Sequence, residues 1–155
     1  MSVNVNVESL EQSRRGAVFG EMFMELDTIQ FPERNWNDFV VVMLGWWCTA
    51  CTALVSGGQE QELMFMDGPF QLILSSHEPD VWASEFQRLR SVSTVLDEFQ
   101  PLAGIRNELR IDPAHFLNSL VRCSEAVLAE CDRRGWRTDD VDELERALTG
   151  LRLSR

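Results

Sequence analysis

Hydrophobic positions crowd into residues 36–55, WNDFVVVMLGWWCTACTALV, a stretch so apolar on every side that other parts of the chain must cover it. It follows a turn-like run (Phe31-Pro32-Glu33-Arg34-Asn35), places Asn37 and Asp38 where a helix needs side-chain acceptors for its first free N–H groups, and stops at Gly57-Gly58. This punctuation predicts a buried helix over about 37–56. Three consecutive valines pull the other way, toward a strand followed by a helix, and that alternative stays open.

The flanking segments alternate with a different period. Val3, Val5 and Val7 interleave with Asn4 and Asn6, the signature of a half-buried strand. Residues 18–31 (VFGEMFMELDTIQF) alternate more strongly, with Met22, Met24 and Leu26 on one face and Glu21, Phe23, Glu25 and Asp27 on the other. One strand is expected there, its acidic positions toward solvent. Residues 63–66 and 70–74 are apolar runs separated by Asp67-Gly68-Pro69, a turn signal that predicts a hairpin over about 61–75, ended by the polar cluster at 75–80. A strand is expected at 81–88, then irregular structure, then a connection over 101–110 holding a short strand.

The last third has helical periodicity. Asp112 followed by Pro113 reads as an N-cap with proline at the first helical position, and Gly135 closes the far end. Between them Leu117, Leu120, Val121, Ser124, Val127, Leu128 and Cys131 form one stripe. Thr138 caps a second helix with the stripe Val141, Leu144, Leu148 and Leu151. Its first turn carries Asp139, Asp140, Asp142 and Glu143, where the helix dipole favours negative charge. The predicted class is therefore α+β: a small, mostly antiparallel sheet packed on a buried central helix and two C-terminal helices, in one domain over 1–155.

Composition narrows the function. The 155 residues, 45% hydrophobic, suffice for one real core. A balance of 25 acidic against 14 basic side chains gives −11, which repels phosphate backbones and anionic membrane surfaces and steers toward a basic protein partner. Nucleic-acid and membrane binding are not expected, and the N-terminus lacks a basic flank followed by an apolar run, so a cytoplasmic protein with reduced thiols is expected.

Trp47-Cys48-Thr49-Ala50-Cys51 is the one tempting chemical motif, since WCxxC at a helix N-terminus is how thioredoxin-like oxidoreductases present a low-pKa thiolate. The apolar run continues through Val55, however, and no alternating βα unit follows. Mid-helix thiols packed in a core are inert. A zinc site from Cys48, Cys51, Cys123 and Cys131 has one familiar half, but the second pair lies on a helix's apolar stripe. His77 in a turn and His115 in a helix's first turn lack a nucleophile or metal partner, and no glycine-rich phosphate loop is present. No catalytic set, metal or cofactor is expected. Trp46 and Trp47 cannot both point the same way on a helix, so one of them faces a rim, groove or partner.

Phe31-Pro32, the run Trp36-Asn37-Asp38-Phe39-Val40-Val41-Val42, Gly45-Trp46-Trp47, Phe65-Met66-Asp67-Gly68-Pro69-Phe70, and then Val127-Leu128, Cys131, Gly135-Trp136 and Asp140 together resemble small acidic bacterial proteins of the immunity-protein type, encoded beside polymorphic toxins. The resemblance implies a non-catalytic α+β domain that binds a cognate toxin and occludes its active site. It supplies no motif for the binding residues. Charge and exposure alone nominate Glu21, Glu25, Asp27, Asp139, Asp140, Asp142 and Glu143 as partner contacts. The alternatives are a thiol oxidoreductase using Cys48 and Cys51, and a scaffold or ligand-binding module with a groove beside the hairpin.

Overall fold

The computed structural model describes residues 1–78, 81–92, 96–101 and 109–155. Along the chain run β1 (Ser2–Val5), β2 (Glu11–Gln12), β3 (Val18–Leu26), β4 (Ile29–Phe31), β5 (Asn37–Asp38), α1 (Val40–Val55), β6 (Glu60–Met64) and β7 (Phe70–Glu78). They continue as β8 (Val81–Val92), β9 (Leu96–Pro101), β10 (Leu109–Ile111), α2 (Pro113–Arg133) and α3 (Asp139–Ser154). The fold is α+β.

Its strands form two antiparallel sheets where the sequence predicts one. In the first, β3 is the hub and pairs with β1, β2, β4 and β5. In the second the order is β10-β8-β7-β6, with β9 also on β8. With β3 already partnered by β1 and β4 at Met24, the hairpin strands pair only within their own sheet. The first sheet turns Val18, Met22 and Met24 into the core, while Leu63, Leu72, Leu74, Trp82 and Phe86 do so from the second.

Between the sheets Phe31 acts as a rivet. Its ring lies 4.6 Å from that of Phe86 and edge-on to Phe65 and Phe70 at 5.5 and 5.6 Å. Edge-to-face pairs of this kind add roughly 0.5–1.5 kcal/mol each beyond the area they bury. Trp47 joins the cluster from α1, 5.2 Å from Phe65.

The apolar stretch is one helix, but it begins at Val40 rather than Asn37. Asn37 and Asp38 pair instead with Glu21 and Gly20 as β5, and Phe39 at the N-cap makes no side-chain cap bond. Nine of its residues are buried, among them Val40, Val41, Met43, Leu44, Trp47, Cys48 and Cys51. Thr49 and Thr52 fit this apolar setting by donating their hydroxyls to the carbonyls of Gly45 and Cys48. α3 packs across α1 at Gly45, where a Cβ would stand 3.7 Å from the Leu144 Cα, and α2 touches α1 at the Cys48–Ser124 contact.

Other boundaries also moved. The strand expected over 18–31 is a hairpin, β3 and β4, because Asp27 takes a positive φ of 53° and turns the chain. Val7 lies in a short 3-10 turn, Val7–Ser9, not in β1. The second hairpin is longer than 61–75: β7 runs on to Glu78, so His77 is in a strand rather than a turn. Strand β8 extends past 88, and β9 pairs with it where irregular structure is expected. The short strand foreseen within 101–110 is β10; residues 79–80, 93–95 and 102–108 lie outside the described residues.

The two C-terminal helices are as the pattern predicts. Asp112 accepts the Ala114 N–H as an N-cap, with Pro113 at the first position. At the far end Gly135, at φ 69°, lets the Trp136 N–H return to the Cys131 carbonyl at 2.8 Å. Thr138 caps α3 through its hydroxyl, which accepts from the Val141 N–H.

Candidate partner-binding surface

The seven acidic residues nominated from sequence do not form one patch. Glu21 and Glu25 are half-buried on β3, where the side-chain amides of Asn6 and Gln30 donate to their carboxylates at 3.0 and 3.2 Å. They are less free than an exposed strand face implies. Asp27 sits exposed at the β3–β4 turn, close enough to the Met1 ammonium for their charges to interact, as Asp112 also is. Asp139, Asp140, Asp142 and Glu143 lie at the opposite end of β3, because Thr138 abuts Gly16 in the turn that leads into that strand. The nine-residue strand puts Asp27 roughly 26 Å or more from the α3 group, with Glu25 near its far end and Glu21 partway along it.

Within the α3 group, Glu143 is taken up by Arg146 at 2.7 Å, a pair more than half exposed and worth little. Asp139, Asp140 and Asp142 are exposed and make no ion pair with any described residue. They are free carboxylates at a helix N-terminus. Arg14 and Arg15, both exposed, lie in the neighbouring turn and offset part of this charge.

A third acidic surface was not nominated from sequence. On the second sheet Glu62, Ile73 and Glu85 stand in one cross-strand row, Glu60, Ser75 and Ala83 in the next, and Met64, Gln71 and Gln87 in another. Side chains in a strand alternate, so this face is opposite the one that buries Leu63, Leu72 and Phe86. Only the β6 end of these rows, Glu60, Glu62 and Met64, is exposed, while Gln71 and Ala83 are buried; the polar members are linked, Ser75 donating to Glu60, Gln71 to Gln87, and Gln87 to Glu85. The signal was present in the alternation Glu60-Gln61-Glu62-Leu63-Met64, hidden by reading the strand as starting at its first apolar residue.

The rim of this surface is apolar. Met64 and Met66 are 43% and 44% exposed, and Trp46 on α1 is 49% exposed. Trp47, its neighbour, is fully buried and donates its indole N–H to the Met64 carbonyl at 3.1 Å. One turn of α1 therefore sits against the end of β6, and Trp46, rotated about 100° around the helix, faces outward there.

The thiols have no such freedom. Cys48 and Cys51 are fully buried in the middle of α1, not at its N-terminus. Burial pushes the Cys48 thiol up to about 11 despite the nearby Ser124 hydroxyl, and burial together with Cys48 pushes Cys51 well above its ordinary value. Burial also raises Cys123 and Cys131. Such groups are the reverse of an activated thiolate. Among the described residues no three His, Cys, Asp or Glu side chains are grouped to hold a metal ion, and no helix is long and apolar enough to cross a membrane.

One cleft of about 490 Å³ opens between the C-terminal end of α1 (Leu54, Val55, Gly57), Trp82 of β8 and the first turns of α2 (Pro113, Ala114, Leu117), with Asp112 and Arg155 as its charged members. Comparison with protein-family models, with curated proteins and with solved structures finds no match to this chain.

Proposed function

We propose that this protein is a non-catalytic, immunity-type inhibitor that acts in the bacterial cytoplasm by binding a basic toxin and covering its active site. The observation that carries this reading is the distribution of unpaired acid. In a chain of net charge −11, exposed carboxylates without cationic partners among the described residues stand on the first turn of α3 (Asp139, Asp140, Asp142) and on β6 of the second sheet (Glu60, Glu62). Such a surface costs self-repulsion in the free protein and returns fast, salt-sensitive association with a basic surface. Proteins that act on nucleic acid carry basic surfaces of this kind, and an acidic blocker mimics the phosphates they bind.

The buried, proton-retaining thiols of Cys48 and Cys51 weigh against an oxidoreductase. The cleft at Trp82 favours the other alternative, a ligand-binding module, since its volume and apolar lining fall in the range of small-molecule sites.

The test is affinity capture of the tagged protein from its own producing cells at low and moderate salt, followed by assay of the captured protein. The expected result is one stoichiometric basic partner that is toxic when produced alone and whose activity is abolished at a 1:1 ratio. A captured partner whose activity is unchanged by saturating amounts of this protein, or no partner at either salt, overturns the reading.

A further inference from the structure

β6 is the terminal strand of the second sheet, and its outer edge has a defined phase. The Phe65 N–H donates to the Phe70 carbonyl at 3.0 Å, and the Ser76 N–H to the Gln59 carbonyl at 2.8 Å. In an antiparallel ladder the residues between such pairs alternate, so Gln61 and Leu63 turn their backbone groups toward β7. Glu60, Glu62 and Met64 turn theirs away from the sheet. The Met64 carbonyl is taken by the Trp47 indole. The outward N–H and C=O groups of Glu60 and Glu62 have no partner among the described residues.

Exposed edges of this kind are normally blunted by proline, lysine, a bulge or a covering element. β6 has neither proline nor lysine, and its register against β7 runs without a break from Glu60 to Met64. Its protection is charge. A second copy docking antiparallel about Glu62 would set Glu62 against Glu62, and one docking parallel in register would stack all the carboxylates. The edge therefore rejects itself and is complementary to a strand of opposite sign.

We propose that β6 is a docking edge, to which a basic protein partner adds an extended segment antiparallel to β6. Lys or Arg at alternate positions face Glu60 and Glu62, and an apolar side chain settles beside Met64 and the outward ring of Trp46. Main-chain hydrogen bonds hold the segment, and the alternating side chains select it. This deepens the inhibitor reading and rests on its claim of a basic protein partner.

The experiment uses the full chain and a defined probe, the blocked peptide acetyl-Leu-Thr-Lys-Val-Lys-Val-Lys-amide, whose leucine faces Met64 when its next two lysines face Glu62 and Glu60, with backbone amide exchange followed residue by residue. In the free protein the Glu60 and Glu62 amides exchange freely while those of Gln61 and Leu63 are protected. Peptide at about millimolar concentration slows exchange at Glu60 and Glu62 at least tenfold and shifts Trp46 fluorescence. The same peptide with alternate backbone nitrogens methylated has no effect. Glu62→Pro removes only an outward donor, so it leaves the β6–β7 ladder and the melting temperature in place while abolishing the protection. Protection of neither amide, or equal protection by the methylated peptide, overturns the proposal. Because the probe reads β6 directly, its failure beside successful capture of an inhibited toxin shows that the toxin binds elsewhere, leaving the inhibitor reading intact.

Discussion

The carboxylate of Asp38 accepts the backbone N–H of Asp67, a residue 29 positions further along the chain, with both oxygens at 3.1 and 3.2 Å. The same carboxylate accepts the indole N–H of Trp36 at 3.0 Å and the backbone N–H of Phe39 at 2.7 Å. Asp38 is only 2% exposed, so one buried side chain ties β5, the start of α1 and the loop between β6 and β7 together.

Replacing Asp38 by alanine leaves these donors without partners in a buried site. A single unsatisfied buried group costs about 1–3 kcal/mol, and water admitted by the smaller side chain recovers part of the total. Asp38→Ala should lower the unfolding free energy by about 3 kcal/mol in denaturant titration and alter Trp36 fluorescence. Asp38→Asn, which keeps one acceptor oxygen, should cost less. A full loss for alanine with none for asparagine would show that the site needs only side-chain volume and one acceptor, and that the second carboxylate oxygen contributes nothing.

Gly45 sets how closely α1 and α3 approach. A Cβ there meets the Leu144 backbone at 3.7 and 3.8 Å, ordinary contact distances, so alanine fits without displacement. Because glycine in a helix interior costs up to about 1 kcal/mol relative to alanine, Gly45→Ala should raise the melting temperature slightly. Gly45→Leu must push the helices apart and should destabilise by about 1–3 kcal/mol. A destabilised alanine variant would mean that the interface has less room than the distances indicate.

These relationships show where sequence reading succeeds and where it stops. The caps at Asp112 and Thr138, the stripe from Leu117 to Cys131 and the turn around Asp67-Gly68 are local signals, and each element formed where they placed it. Asn37 and Asp38 carry the residue types of a helix cap, yet their use is decided by β3 and by Asp67, which are distant in sequence. Local chemistry was right that Asp38 is an acceptor, but its donors are the Phe39 N–H, the Trp36 indole and the distant Asp67 N–H rather than the first turn of α1, and the Asn37 side chain accepts from no described residue. The β6 edge was missed for a related reason: Glu60 reads as a loop residue and Glu62 only as the start of the hairpin until the pairing with Ser75 and Ile73 gives both a strand phase. The spread of the acidic residues along β3, from the α3 group at one end to Asp27 beyond the other, is likewise a product of topology.

Alkaline pH should expose the buried thiols. In the unfolded chain a cysteine ionises near 9, whereas Cys48 holds its proton to about 11 and Cys51 beyond its ordinary value. The folded state therefore binds more protons above pH 9, and stability falls as pH rises from about 9, at up to about 1.4 kcal/mol per pH unit for each such thiol. For Cys48 this fall ends near pH 11. Cys48→Ala should flatten the alkaline limb, and native protein at pH 8 should react with a thiol reagent at Cys48 and Cys51 only after denaturation. Rapid native labelling of either would contradict their burial.

Acid acts on a different group. Hydrogen bonds from Arg133 and then Arg134 hold the Glu130 carboxyl down to about 2, from an ordinary 4.5. Arg134 in turn donates to the Leu10 carbonyl at 2.6 Å and lies over the Trp136 ring at 4.7 Å, joining the end of α2 to the N-terminal segment. A depressed carboxyl stabilises the fold above its unfolded value, and that contribution disappears as pH falls from 4.5 through about 2. Glu130→Gln should therefore flatten the acid limb of the stability curve between those values and leave the alkaline limb unchanged. An unaltered acid limb would show that the Arg134 bridge survives without the carboxylate.

Asp139, Asp140 and Asp142 have two separable duties. As unpaired carboxylates in the first turn of α3 they complement the helix dipole, a contribution of about 0.3–1 kcal/mol each that salt screens. As an exposed acidic group they steer a basic partner, which acts on the association rate and on its salt dependence but hardly on dissociation. The triple change to asparagine keeps shape and cap-forming ability while removing the charge. It should lower the melting temperature by a few degrees at low salt, slow association with the captured partner several-fold, and shallow the dependence of that rate on ionic strength. A lower melting temperature with unchanged association would assign the cluster to helix stability alone, and would leave the β6 surface with Glu60 and Glu62 as the acidic group that meets the partner.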